Sequence, residues 1–322
     1  MRRVGCLGLL IGLAVLIAAL MVSRGWSGAG PASRPLSVQI AEGSSLTAAA
    51  TELERVGAIS SAQRFRLYAR LLGSGEPIRA GEYRIPAAAS PSAILAMLQE
   101  GKVLQRLVVV PEGYPAVMVR DALLKADGLE GPVPAIAEGS ILPDSYAFQR
   151  GDTRAVLVAR MQKSMRDYLA AAWAKRKQTI AVRTPQEAII LASVVEKETG
   201  KSAERRTVAA VYGNRLRIGM PLQADPTVIY PITKGRPLGR RILRSELTAK
   251  NGYNTYAERG LPAGPIANPG RASIDAVLDP APSKALYFVA DGTGGHVFAD
   301  TLDEHNANVR KWYAIRKARG EM

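Results

Sequence analysis

The sequence predicts an α+β protein held at its N-terminus by a membrane helix, with a small α/β module ahead of a larger α+β domain. Three observations predict it. An uncharged run, Val4–Val22, follows the basic start Met-Arg-Arg. A strand–helix–helix–strand–helix succession occupies residues 36–101. Beyond residue 104, short apolar strands alternate with long helical stretches and Gly- and Pro-rich loops. The chain has 322 residues, enough for two modest domains with a sizeable core. The expected division is a tail and membrane helix at 1–24, a linker at 25–35, the module at 36–104 and the larger domain at 105–322.

The apolar run of roughly 19 residues spans about 28 Å as a helix, close to the bilayer hydrocarbon core. Its length and the lack of a clear A-x-A site before Arg24 favour an anchor over a cleaved signal peptide. Arg2 and Arg3 bias the tail to the cytoplasm and put everything after Arg24 on the far side. WSGAGPASRP, residues 26–35, reads as a short tether.

In the module, LSVQI at 36–40 is a strand, and Ser44-Ser45 leads into a helix from Leu46. Ala62–Leu72 forms a second helix, GEYRI at 81–85 a returning strand, and Ser90-Pro91 opens a third helix. In the larger domain, residues 105–110 (QRLVVV) are a strand and Tyr114–Lys125 a helix. Ile141–Phe148 reads as irregular, and Thr153–Lys175 as a long helix. Thr184-Pro185-Gln186-Glu187 is a helix start with a capping box, and Gly200 the stop. From Leu222 to Gly270 the chain reads as loop-rich. Order returns with the buried strand ALYFVA, residues 285–290, and a turn at Gly294-Gly295.

Charge and rare residues narrow the function classes. The formal net charge of +15 favours anionic partners. No zinc-finger spacing, aromatic-and-basic strand motif or heptad-bearing basic region supports nucleic acid. The lone Cys6 excludes an intrachain disulfide, and His296 and His305 are too few for a typical zinc site, so metal-free, cofactor-free chemistry is expected.

The informative stretch is LASVVEKETG, residues 191–200. At about 100° per residue, Glu198 falls about 20° from Leu191, on the apolar stripe, whereas Glu196 falls about 140° away. Glu198 also sits in the last turn, where the helix dipole disfavours a carboxylate. Burial and dipole together raise its expected pKa and suit it to general-acid work. The bland alternative pairs it with Arg205 or Arg206. Glu196 reads as a solvated or structural partner, and Lys197 as solvent-facing.

Four blocks in order then carry a resemblance: LASVVEKETG, VYGNRLRIGMPLQADPTVIY (211–230), NGYNTYAERGLPAGPIANPG (251–270) and YFVADGTGGHVF (287–298). Together they resemble the YceG-like family of endolytic murein transglycosylases over essentially the whole chain. The resemblance implies a bacterial inner-membrane protein whose catalytic region faces the periplasm. Its partners would be peptidoglycan glycan strands, with peptidoglycan synthases nearby, and the module would be LysM-like. It puts the catalytic glutamate on Glu198 and implies cleavage between N-acetylmuramic acid and N-acetylglucosamine with 1,6-anhydro ends.

Around that acid, Gln223, Asp225 and Thr227 offer groups for sugar hydroxyls and N-acetyl groups, and Tyr253, Asn254 and Tyr256 offer stacking and hydrogen bonds. Asp225 reads equally well as the cap of a helix starting at Pro226, and the tyrosines as core. Residues 260–266 read as a rigid loop wall, and His296 as a structural histidine. Two further function classes stay open: a two-carboxylate hydrolase pairing Glu198 with Asp225 or Glu196, and a non-catalytic wall-binding scaffold.

Overall fold

The structure, a computed structural model, describes residues 2–321, with side-chain surroundings from residue 12 onward. The basic tail, Cys6 and the first half of the apolar run therefore lie outside the described side chains. Helix α1 spans Arg2–Ser27. Among the described residues no helix is long and apolar enough to cross a membrane.

The chain divides into two compact units. The first runs to Arg106 and includes Phe148–Gly151; the second comprises Leu107–Ala147 and everything from Asp152 on. In the first, β1 (Leu36–Ile40) pairs antiparallel with β2 (Gly81–Ile85), Leu36 opposite Ile85 and Ile40 opposite Gly81. The alternation in LSVQI turns Val38 and Ile40 inward, where they meet Leu53, Phe65, Tyr83 and Leu98. Helices α2 (Leu46–Arg55), α3 (Ala62–Leu72) and α4 (Pro91–Glu100) begin at Ser45, Ser61 and Ser90, each accepting an N–H of its own first turn. The expected tether is not free. α1 continues to Ser27, and Trp26 packs its ring 6.2 Å from Phe65 and 6.3 Å from Tyr68.

The second unit begins one residue into β3 (Arg106–Val110) and continues with α5 (Ala116–Lys125). Residues 144–148, expected to be irregular, form β4 (Asp144–Phe148), which pairs with β3. Next come α6 (Arg154–Ala174), α7 (Pro185–Glu198), a 3-10 turn at Ser202–Glu204 and α8 (Arg205–Arg217). The supposed loop region holds two helices, α9 (Asp225–Thr233) and α10 (Arg244–Thr248), and α11 (Arg271–Leu278) follows directly after it. The hairpin of β5 (Tyr287–Ala290) and β6 (His296–Ala299) is half-buried rather than buried, and α12 (Leu302–Ala318) follows it.

α7 is the axis of this unit. Every residue from Ala188 to Val195 is buried, against α8, α11 and the Ile266 loop. A helix buried all round can carry no polar face in its middle. Thr184 caps it by accepting the Glu187 N–H at 3.1 Å, while the Glu187 carboxylate reaches back one residue further than expected, to the Arg183 N–H at 2.6 Å. Its stop also differs: Thr199 leaves the helix in an extended conformation (φ −136), and Gly200 takes no left-handed φ.

Candidate active site

Both glutamates of the EKE triplet leave bulk water, and their partners tell them apart. Glu196, expected to be solvated or structural, has a side chain only 5% exposed. It is an ion-pair anchor: Arg205 lies 3.3 Å from Oε1, and the Gly270 N–H donates to Oε2 at 2.9 Å. A Cβ on Gly270 would meet the Glu112 carboxyl at about 2 Å, so glycine lets the loop approach this carboxylate pair. Arg205 also reaches Glu112, and Arg206 pairs with Asp279, so neither guanidinium is the partner of Glu198.

Glu198 closes α7 in the opposite situation. Its Oε1 is shut away from solvent with no hydrogen-bond partner among the described residues. The Tyr212 hydroxyl lies close enough to the carboxyl to favour its charged form. Burial raises its pKa to about 7; the negative charge of Asp225 pushes the same way, and the Tyr212 hydroxyl and the Arg215 charge oppose. At neutral pH such a group is about half protonated, where an ordinary Glu keeps its proton in about 0.3% of molecules. It can therefore both give and take a proton near pH 7.

Tyr212 and Arg215, which sequence reasoning did not assign, stand three residues apart on α8 and so share a face. Burial drives the Tyr212 phenol far up, which keeps it a donor. Arg215 spends its guanidinium on backbone carbonyls, with Leu286 O at 2.6 Å and Leu222 O at 2.7 Å, and approaches Gln223 Oε1 at 3.5 Å. Its charge is thereby fixed facing Glu198 rather than paired with it.

The remaining sequence candidates separate into two groups. Gln223 and Asp225 are exposed and Tyr256 is half-buried. Tyr256 donates its hydroxyl to Asp225 Oδ1 at 2.6 Å, and both groups are felt electrostatically at Glu198. Asp225 is the first residue of α9, with Ala224 at the cap position, so its carboxylate serves Tyr256 and does not cap the helix. Gln223 holds a left-handed φ of 53 and donates its N–H to Thr255 O.

Thr227 and Asn254, by contrast, are fully buried, which corrects their assignment as sugar-contacting groups. Thr227 Oγ1 lies 2.6 Å from Ala224 O and 2.9 Å from Thr255 Oγ1. Asn254 Nδ2 holds three carbonyls at the end of α10, those of Glu246, Leu247 and Ala249, and its Oδ1 accepts the Tyr256 N–H. Their polar atoms are committed inside the protein, where they shape the loops carrying Asp225 and Tyr256. Tyr253 packs its ring 5.0 Å from Tyr230.

Tyr230 leads to a second unusual carboxyl. Glu138 accepts the Ala116 N–H at 2.8 Å, supplying the cap that Pro115 cannot give α5. Asn268 Nδ2 at 3.4 Å and the Tyr230 hydroxyl also address it. Burial raises its pKa to about 7 against those hydrogen bonds and the Lys197 charge. No local pattern in AEGSILPDSY marks this residue; its partners come from three distant segments. Across the hairpin, His296 Nδ1 lies 2.8 Å from Glu204 Oε2, a satisfied structural histidine. No group of His, Cys, Asp and Glu able to hold a metal occurs among the described residues.

With this geometry established, known proteins provide the comparison. The YceG-like family matches residues 38–311. The endolytic murein transglycosylase of Bacillus subtilis is 28% identical over 315 residues, covering 87% of this chain and 86% of that protein. The protein of the same name from Streptococcus pneumoniae serotype 2 is 27% identical over 85% of this chain, which spans 58% of its length. A crystal structure of a YceG-like protein from Listeria monocytogenes superposes with a TM-score of 0.52 at 28% identity, covering 85% of this chain and 99% of that one.

Proposed function

The chain belongs to the YceG-like family, and from that premise we propose that it is a lytic transglycosylase that cuts peptidoglycan glycan strands internally, with Glu198 as its single acid and base. The observation that carries the reading is the state of that carboxyl: its Oε1 closed off from solvent, with no hydrogen-bond partner and no paired cation among the described residues, and its pKa raised to about 7. The Bacillus subtilis relative bears the name of this activity.

The reaction runs through one proton. Protonated Glu198 gives its proton to the glycosidic oxygen as the bond between that oxygen and C1 of N-acetylmuramic acid breaks. Positive charge develops on the sugar, and the carboxylate left behind is well placed to stabilise it. The 6-hydroxyl oxygen of the same sugar then bonds to C1 and its proton passes to Glu198. The products are a 1,6-anhydro end and a free 4-hydroxyl, no water is consumed, and the enzyme returns to its starting state. Tyr212 holds the carboxyl in place as a donor, while Arg215 offsets part of the cost of its ionised form. The exposed Gln223 and Asp225 and the half-buried Tyr256 offer polar groups near it for the sugar's hydroxyl and N-acetyl groups.

The wider placement belongs to the same reading. α1 is a single bacterial inner-membrane anchor whose uncharged run ends at Val22, and the chain after Arg24 faces the periplasm. The first unit is a LysM-like module binding peptidoglycan, and the enzyme ends nascent strands beside peptidoglycan synthases. The net charge of +15 suits an anionic polymer at a membrane surface.

Mass spectrometry of the products from purified glycan, wild type beside Glu198→Gln, tests the activity. Wild type should yield internal cuts with anhydro ends, and the variant none. Ordinary reducing ends would instead mean a hydrolase, and full activity in the variant would remove Glu198 from the chemistry.

A further inference from the structure

We propose that the exposed face of α3 is a lipid-docking surface that seats the first unit on anionic headgroups at the point where α1 leaves the bilayer. The inference rests on the reading of α1 as an anchor and adds a second membrane contact, in a helix that the anchor reading does not use.

The composition of α3 sets up the face. Measured from Leu67 at about 100° per residue, Leu71 lies about 40° to one side and Arg64 about 60°; Arg70 lies about 60° to the other. Leu67 is 53% exposed and Leu71 69%, and both arginines are exposed. The opposite side, Ala62, Phe65 and Ala69, is buried in the core of the unit. Two open leucines flanked on each side by an arginine make the pattern of a helix lying in a membrane interface, apolar groups down and cations at headgroup level. Neither leucine belongs to the buried core of the unit, so both leave apolar surface open to water.

The attachment of α1 supplies the depth. The uncharged run ends at Val22. Trp26, four residues on, is about 6 Å further along the helix axis, which is the thickness of one headgroup layer. α1 is still helical there, and its last turns lie directly on α3. Trp26 packs on Phe65 and Tyr68, and a Cβ on Gly25 would come within 3.0 Å of the Tyr68 ring. Met21, Arg24 and Gly25 line one cavity together with Arg64, Phe65 and Tyr68. No flexible tether intervenes, so α3 is fixed to the stretch of α1 that crosses from hydrocarbon into headgroups. Trp26 and Tyr68 are the amphipathic aromatics suited to that depth. Arg64 and Arg70 flank the leucines and Arg24 shares a cavity with Arg64, three positive charges at or beside this face that select anionic over neutral lipid.

The test uses the full chain in a Cys6→Ser background, leaving no native cysteine. Single cysteines at Leu67, Leu71, Leu16 and Ile218 carry an environment-sensitive nitrobenzoxadiazole label. The proteins are reconstituted into vesicles of phosphatidylcholine with or without phosphatidylglycerol, each containing a lipid spin-labelled near its headgroup. Leu16, in α1, reports the anchor, and Ile218, 61% exposed, reports a label in water. Labels at 67 and 71 should be quenched and blue-shifted in the anionic vesicles and lose most of that quenching in neutral ones. Arg64→Glu with Arg70→Glu should abolish it in both. If position 16 is quenched while 67 and 71 behave like 218, the docking surface is wrong and the anchor stands. If position 16 itself stays unquenched, the anchor reading fails and takes this one with it. Quenching at 67 and 71 that ignores phosphatidylglycerol would overturn the anionic assignment.

Discussion

Replacing Glu198 by Gln should stabilise the protein at alkaline pH, by an amount the structure allows one to work out. The folded carboxyl has a pKa of about 7 against an ordinary 4.5. A raised acid pKa means that the unfolded chain ionises first. Nothing is lost below pH 4.5, stability falls as pH rises from there to about 7, and the full penalty of about 3 kcal/mol is present above. Gln is neutral at every pH and has nearly the same shape, with an oxygen still able to accept from Tyr212. Any constant difference, such as an unsatisfied amide N–H, cancels when the two proteins are compared at two pH values. Between pH 5 and pH 8.5 the variant should gain about 2.5 kcal/mol on the wild type. For a unit of this size that is a shift in the difference of melting temperatures of roughly 5–10 °C. Thermal unfolding of both proteins across that range is the assay. A difference that stays flat with pH, or grows in favour of the wild type, would show that the carboxyl is not held against its ionisation, and the proton-donor argument would lose its physical basis.

Four further outcomes follow from the same geometry. Arg205→Ala strands the buried Glu196 carboxylate and should cost about 3–5 kcal/mol in denaturant unfolding, whereas the exposed Arg183→Ala should cost little. Tyr256→Phe removes the 2.6 Å bond to Asp225 and should lower kcat more than stability, read by steady-state cleavage beside a melting curve. Asn254→Ala leaves three α10 carbonyls without their donor and should destabilise by about 2–3 kcal/mol while the activity of the remaining folded fraction survives. Glu138→Ala uncaps α5 and frees Tyr230, with a cost of about 1–2 kcal/mol; unchanged stability would deny its capping role.

Local chemistry made much of the first unit and the start of α7 readable. Ser45, Ser61, Ser90 and Thr184 each precede a helix and accept its free N–H, a relation confined to four residues of sequence. What escaped was non-local or masked by composition. β4 exists because β3 pairs with it, and nothing in Asp144–Phe148 announces that partner. α9 starts on Asp-Pro and contains Pro231, so a helix looked like a loop. The choice of Glu198 over Glu196 came from a stripe that the structure does not have, since α7 is buried on every side from Ala188 to Val195. What distinguishes the two is the company each keeps: Arg205 and a glycine N–H for one, Tyr212 and an empty oxygen for the other. Those partners arrive from α8 and the 270 loop, beyond the reach of any helical periodicity. Thr227 and Asn254 looked like sugar ligands because hydroxyl and amide groups are common to both uses; only burial separates them.

In the proposed mechanism one carboxyl gives its proton to the departing oxygen and recovers it from the sugar's own hydroxyl. Digestion of purified glycan in water enriched in oxygen-18, followed by mass spectrometry of the new ends, tests that directly. Every new muramic acid end should be anhydro and free of the heavy isotope. Heavy oxygen at C1 of those ends would mean that water attacks, and that a second carboxylate shares the work.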